Sequence, residues 1–196
     1  APRFVNLKDP ETYIKRCKAG GVLSNSELLS IASILRQTRS LCDWKGQTEV
    51  HSCLDELFEV LCSHRQVEER IFSAIISEEE IADTASDELF SIRRKIKNLQ
   101  MRTRDQLDKM IRSPLYQKYL QDPVVTIRDG RFVLPVKAEH RGEVPGLVHD
   151  TSASGATLFI EPASVVEADN EVRVLRSQEQ DEIDRILSEL SSLVAE

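Results

Sequence analysis

Residues 84–112 contain neither proline nor glycine, and this uninterrupted stretch limits what the chain can become. Within it Leu89, Ile92, Ile96, Leu99, Thr103 and Met110 recur three and four positions apart, with Gln106 as a polar step. That is the narrow seam of a helix packed on one partner helix, not the broad apolar face of a globular helix. Thr84 with Asp87 reads as a capping box at its start. About 28 residues at 1.5 Å rise give a helix of roughly 40 Å, expected to project from the rest. A second seam closes the chain: Ala168, Val172, Leu175, Ile183, Ile186, Leu190 and Leu193, behind a capping box of Ser164 and Glu167. Between the two the apolar period switches from helical to alternating. The order long helix, small sheet, long helix returns the chain to where it left, so the helices should run antiparallel, seam to seam.

The intervening segment is read from its turns. Ser113-Pro114 restarts a short helix and Asp122-Pro123 ends it. VVTI and FVLPVK flank Asp129-Gly130, a strong short-range hairpin signal. Pro135 inside the second run points to an edge strand or a bulge. LVHDT, the SASG turn and TLFIEP complete four short antiparallel strands over about residues 124–161. In a simple meander the loops after strands one and three share an end. Arg128 and Arg131 are then expected clear of the core beside Ser152–Gly155, with Lys137 and Arg141 at the other end.

Residues 1–85 read as a helical bundle. Ser24 and Glu27 form a capping box ahead of Leu28, Leu29, Ile31, Ile34 and Leu35, and Gly20-Gly21 stops the preceding helix. Leu54, Leu57, Phe58 and Leu61 mark another helix, and Ile71, Phe72, Ile75 and Ile76 a further one before a solvated Glu78-Glu79-Glu80. The expected fold is mainly α with a small antiparallel sheet: a helical bundle (1–85), a first long helical segment (86–122), a four-stranded β segment (123–162) and a second long helix (163–196). The opening at Ala1 without Met, and the end at Glu196 inside a helical pattern, suggest a piece of a longer protein.

Chemistry-bearing motifs are sparse. HDTSASG (149–155) has the vocabulary of a hydrolase site, but His149 and Asp150 are strand neighbours expected on opposite faces. No GxSxG elbow and no GxxxxGK[ST] loop is present. Ser152, Ser154 and Gly155 are ordinary turn formers. His51, Cys53, Cys62 and His64 resemble a metal set, yet on one helix they fall into two pairs about 16 Å long on nearly opposite faces. Buried thiols with surface His are the expectation for Cys17, Cys42, Cys53 and Cys62, in a reducing cytoplasmic setting. No apolar run approaches 18 residues, so no membrane partner is expected.

A net charge of −7 excludes a chain that is basic throughout, so any nucleic-acid site must be a local patch. One candidate is the stripe from Arg93 to Arg112, including Arg94 and Lys97. It either pairs with the acidic last helix (Glu179, Asp181, Glu182, Asp184, Glu189) or faces phosphate. The other candidate is the sheet, with Arg128, Arg131, Lys137, His140, Arg141 and His149 and the hydroxyls of Ser152 and Ser154.

The stretches VVTIRDGRFVLPVK and GLVHDTSASGATLFIEP resemble the MutS family, and within it the second bacterial subfamily, MutS-two. IRRKIKNLQMRTRDQLDKMIRS, VEADNEVRVLRSQEQDEIDRIL and KAGGVLSNSELLSIASILR are similar to the long helices and core of that subfamily. The resemblance covers nearly the whole chain. It implies that the helical bundle (1–85) is a core, the two long helical segments (86–122 and 163–196) a lever, and the β segment (123–162) a clamp that closes around a DNA duplex in a homodimer, within a parent carrying an ATPase and usually an Smr nuclease domain. Such parents are linked to suppression of homologous recombination and to splitting of collided ribosomes. ATP and Mg are implied for the parent, and no cofactor or metal for this chain, which has neither a Walker A motif nor an Smr-like segment. Two functions compete: a non-catalytic clamp gripping DNA or ribosomal RNA, and a structural spacer and dimerisation module without nucleic-acid affinity. The direction in which the basic stripe points distinguishes them.

Overall fold

A computed structural model of the protein describes residues 7–47 and 52–196. The fold is mainly α-helical with two small antiparallel sheets, of two and four strands. It divides into two units, Ala1–Phe90 with Gln180–Glu196, and Ser91–Glu179. Two helices, α5 (Asp87–Arg112) and α7 (Ala163–Ala195), contribute to both.

In the first unit α1 (Glu11–Lys18) stops before Gly20, whose φ of +81° glycine adopts without strain. The capping box of α2 (Asn25–Gly46) forms as expected. Ser24 Oγ accepts from the Glu27 N–H, and the Glu27 carboxylate accepts from the Ser24 N–H at 2.9 Å. Leu23, Leu28, Ile31, Ile71, Leu89, Ile186 and Leu190 form the core. Glu68 is buried there, bonded by Arg39 and Arg36. Those guanidinium bonds, Arg39's first, hold its carboxyl below the ordinary glutamate range.

Several sequence expectations change here. The helix anticipated through Leu54, Leu57, Phe58 and Leu61 shrinks to α3 (Asp55–Glu59), because Leu54 and Leu57 find no core and stand exposed. After α4 (Arg65–Ala74), the β-branched pair Ile75-Ile76 leaves the helix for strand β1 (Ile75–Ser77), paired with β2 (Glu80–Ile81). Glu78 and Glu79 form the turn. Helix α5 is capped by Ser86 rather than Thr84, which sits in a 3-10 turn, Asp83–Ala85. Ser86 Oγ accepts from the Leu89 N–H at 3.0 Å and donates to Glu182 Oε1 at 2.6 Å. Cys17 alone of the four cysteines is buried; Cys53 and Cys62 are exposed, so the buried-thiol expectation fails for both. His51 lies outside the described residues, and His64 is exposed.

In the second unit Ile92, Ile96 and Leu99 of α5 pack against Val172 and Leu175 of α7. Farther along, Leu107 and Val165 share a cluster, so the two numberings run oppositely and the helices are antiparallel, as the seam predicted. The seam steps through buried Thr103 to Leu107, not to Gln106. Helix α7 begins at Ala163, directly after the last strand, so Ser164 lies inside the helix and is not its cap. A short α6 (Pro114–Gln117) leads to β3 (Thr126–Arg128), β4 (Arg131–Lys137), β5 (Gly146–Thr151) and β6 (Thr157–Pro162).

The sheet is not a simple meander: its order is β3-β4-β6-β5. Strand β4 pairs with β6, and a crossover with a 3-10 stretch, Ala138–Glu143, carries the chain back along the sheet before β5 begins. Because every pair is antiparallel, the β5–β6 turn lies at the Lys137 end, where the Ala138 N–H bonds Ala156 O. The expected placement is therefore reversed. Lys137 lies beside the Ser152–Gly155 corner, while Arg131 lies toward the opposite end of the sheet. Pro135 sits in an inner strand, but where β3 has already ended; its carbonyl accepts from Gln121 N–H instead, and its missing N–H leaves no ladder bond unmade.

Candidate nucleic-acid interface

Net charge divides between the units. Residues 91–179 carry 15 Lys and Arg against 12 Asp and Glu, a net +3; the other residues carry 11 against 21, a net −10. On α5, Arg93 does turn to α7, meeting Glu179 at 2.7 Å, and Glu179 also takes Arg176. The bonds from Arg93 and Arg176 outweigh burial and leave the Glu179 carboxyl below its usual range. The rest of the stripe does not follow. Arg94, Lys95, Lys97, Arg102, Lys109 and Arg112 are exposed and make no ion pair among the described residues. At 100° per residue, Arg94 and Arg112 project opposite the buried Ile92, Ile96, Thr103 and Leu107, with Lys109 and Arg102 toward one flank of that outer face and Lys97 toward the other. The acidic residues of the far end of α7 are occupied separately, Glu182 by Arg185 and Ser86 and Glu189 by Arg70 and Arg185.

The cations predicted on the sheet are mostly engaged. Arg128 bonds Asp150 at 3.2 Å and lies 4.2 Å from the centroid of the Phe159 ring. The Asp129-Gly130 turn has the left-handed backbone expected of it, φ +50° and +76°. Arg131, expected clear of the core, is instead drawn in. Its side chain is 12% exposed and bonds Glu161 at 2.9 Å and Asn170 at 2.7 Å. Lys137 donates to Lys118 O, Arg141 to Val144 O and Gly146 O, and the His140 ring packs at a tilt against Tyr119, centroids 5.2 Å apart. Ser152 Oγ accepts from Thr157 N–H and Ser154 Oγ from Ala156 N–H, and Gly155 has φ +73°; these hydroxyls build their own turn.

His149 departs from expectation in an informative way. A register shift between Val148 and Asp150 brings both His149 and Asp150 to the sheet face that carries Phe159 and Glu161. His149 Nε2 hydrogen-bonds Glu161 Oε2 at 2.6 Å, while Asp150 holds Arg128, so the two do not form a triad arrangement. Glu161 is fully buried and thus joins Arg131 and His149. Asp169 of α7 joins the same cluster: it is 8% exposed, and its Oδ2 is buried without a hydrogen-bond partner. Burial, followed by the neighbouring Glu161 carboxylate, raises the Asp169 carboxyl to about 6. A cleft of about 480 Å³ opens over the cluster, lined by Gln100, Phe132, His149, Asp169, Val172 and Arg173 among others. Sequence reasoning missed Glu161 and Asp169. The available signals were a charge inside the apolar strand TLFIEP and an acid one turn from the seam positions Val165 and Val172. Among the described residues no group of His, Cys, Asp and Glu could hold a metal ion, and no helix is long and apolar enough to cross a membrane.

No family model matches the chain. Among curated proteins, it is 50% identical over 194 residues to an endonuclease MutS2 of Ruminiclostridium cellulolyticum. It is 46% identical over 194 residues to that of Acetivibrio thermocellus. An endonuclease MutS2 of Clostridium perfringens is 48% identical over 196 residues. These matches cover 97–98% of the chain. The chain spans about a quarter, 24–25%, of the length of these relatives.

Proposed function

Because this chain belongs to the MutS2 family, we propose that it grips nucleic acid on behalf of catalytic parts located elsewhere in a longer protein. The observation that supports this most is the outer face of α5, where Arg94, Lys97, Arg102, Lys109 and Arg112 face solvent without carboxylate partners on the unit of net positive charge. Like-charged side chains held in a row along one helix repel each other, and a phosphate backbone relieves that repulsion while releasing counterions. Contact of this kind is largely indifferent to sequence and suits duplex or branched DNA and ribosomal RNA alike. Lys137, His140 and Arg141 are further candidates at the sheet. Arg131 is not, since a guanidinium held by Glu161 and Asn170 is already satisfied.

The names of the relatives support an endonuclease as the parent, and the resemblance adds an ATPase, a homodimer and a cytoplasmic setting. ATP and Mg then belong to the remainder of the parent, since the GxxxxGK[ST] phosphate loop is not among these residues. The spacer reading is supported by the Arg93–Glu179 pair and the packed seam alone. Salt-titrated binding of this chain to duplex DNA, a four-way junction and ribosomes separates the two. The triple variant Arg94→Glu, Lys97→Glu, Arg102→Glu should bind more weakly. Its log–log salt slope should fall by about one for each phosphate that the variant no longer neutralises. Equal affinity and slope in wild type and variant would leave the spacer reading in place.

A further inference from the structure

The cleft over Glu161 holds two complementary groups that do not meet. Asp169 and Arg173 stand one helical turn apart on α7, the i, i+4 spacing at which an acid and a base ordinarily pair. Here they do not. The Asp169 carboxyl lies against the Glu161 carboxyl and makes no ion pair, and Arg173 is exposed with no ion pair among the described residues. Both line the same cleft, whose volume of about 480 Å³ falls in the range of small-ligand sites. Phe132 and Val172 supply apolar wall, and Gln100 an amide. The wall is held rigidly. Arg131 is fixed by Glu161 and Asn170, and His149 is fixed by Glu161. A buried acceptor, flat apolar wall and an unpaired cation at the exposed side together match a flat ring bearing an N–H edge and linked to an anion.

We infer that this cleft receives one unstacked nucleotide, with an N–H of its base donated to the Asp169 carboxylate and its phosphate against Arg173. The ligand class rests on the nucleic-acid reading above, which the cleft deepens from a sequence-indifferent stripe to a subsite for a single nucleotide. Every base has an apolar face and at least one N–H, so the site selects for an unpaired nucleotide rather than for one base. A duplex keeps those N–H groups in pairing, and a junction, nick or loop frees them. Asp169→Asn retains the shape and hydrogen-bonding size of the side chain while removing the carboxylate acceptor. Arg173→Ala removes an exposed side chain that holds nothing else in place.

The test is calorimetric titration of the chain with guanosine, adenosine, cytidine and uridine monophosphates, with guanosine alone, and with inorganic phosphate. The monophosphates should bind more tightly than either guanosine or phosphate. Asp169→Asn should weaken them at least tenfold, toward the level of phosphate, and Arg173→Ala should bring them to the level of the nucleoside. Phosphate binding as tightly as the monophosphates, no binding of any probe, or both variants matching wild type would overturn the inference. The triple α5 variant separates this from the preceding proposal. If it loses duplex binding and keeps mononucleotides, stripe and cleft both stand. If wild type binds duplex but no mononucleotide, the cleft alone fails. If it binds mononucleotides but no duplex, the stripe alone fails.

Discussion

Arg131→Met should be among the most damaging single substitutions in the sheet, although the hairpin tip beside it looks solvent-facing in sequence. Glu161 is fully buried, and Arg131 supplies its bond at 2.9 Å from a side chain that is 12% exposed. Removing the cation leaves a carboxylate in the interior between His149 and the Asp169 carboxyl. Breaking one side of a buried pair costs about 3–5 kcal/mol; partial exposure of Arg131 places this one near about 3 kcal/mol. The neighbour Arg128 is the control. It is half in solvent, its ion pair with Asp150 is exposed, and only the Phe159 ring adds to it. Arg128→Ala should cost about 1 kcal/mol or less. Urea unfolding followed by far-UV circular dichroism reads both, with hydrogen exchange at the β4 and β6 amides to localise the loss. The double variant Arg131→Met, Glu161→Leu should recover most of the stability, since it removes both charges and fills the space. If Arg131→Met unfolds at the wild-type urea midpoint, or if the double variant is worse than the single, Arg131 and Glu161 do not support each other in the way the geometry implies.

Other variants test separate parts of the structure. Ile96→Ala should lower stability by about 2–5 kcal/mol, read by thermal melts, because Ile96 is buried between α5 and α7; a melt matching wild type would count against the packed seam. Ser86→Ala removes the cap of α5 and the bond to Glu182 and should cost about 1–2 kcal/mol in the same assay. Glu182, lowered to about 2 from 4.5 by its bond from Arg185, contributes stability that is fully present above pH 4.5 and lost as pH falls through about 2. Glu182→Gln should therefore be weaker at pH 7 by about 1–2 kcal/mol, discounted because Arg185 is half in solvent, with the gap closing in acid. Asp169 has the opposite sign. Its carboxyl is raised from 3.8 to about 6, so the folded state holds the proton more tightly and stability falls as pH rises from about 4 to 6. Asp169→Asn should then be the more stable protein at pH 7 by about 1 kcal/mol and equal to wild type below pH 4, a difference that unfolding curves at the two pH values will show or refute.

What could be read from sequence follows from how local each cause is. The Ser24 capping box, the break at Gly20 and the Asp129-Gly130 hairpin depend on residues within four positions, and all three are present. The seams of α5 and α7 depend on period alone; Ile92, Ile96 and Leu99 meet Val172 and Leu175 as read, while the Gln106 step gives way to Leu107. The failures are nonlocal or one step more competitive. Thr84 and Ser86 are both capping residues; Ser86 prevails because its hydroxyl also reaches Glu182, ninety-six positions away. Ile75-Ile76 leaves its helix because a hairpin partner, Glu80–Ile81, is at hand. The strand order β3-β4-β6-β5 depends on which strands share apolar faces across a crossover, which alternation within each strand does not encode. On the interface, Arg93 takes the pairing with the acidic last helix while Arg94 and Lys97 face solvent, and Arg131 did not stand clear, because its partner Glu161 looked like the end of an apolar run.

The position of Glu161 therefore bears on where nucleic acid can be held. One buried carboxylate draws Arg131 inward and fixes His149, and Asp150 occupies Arg128, so this sheet face keeps few free cations. Attraction for phosphate then has to come chiefly from side chains that no acid neutralises: in this unit, among the described residues, the row on the outer face of α5, Arg173 beside the cleft, exposed Lys118, and Lys137 and Arg141, which backbone carbonyls already hold. The two locations differ in chemistry as well as in place. A row of exposed cations responds to charge density and is screened by salt, whereas a cleft with a buried acceptor responds to a hydrogen-bond donor and is screened far less. A protein using both would hold any nucleic acid at low salt and retain at higher salt those whose strands offer an unpaired nucleotide, so preference for junctions over duplex should grow as salt is raised. If junction and duplex affinities instead fall in parallel across the salt range, the stripe acts alone and the cleft adds nothing to recognition.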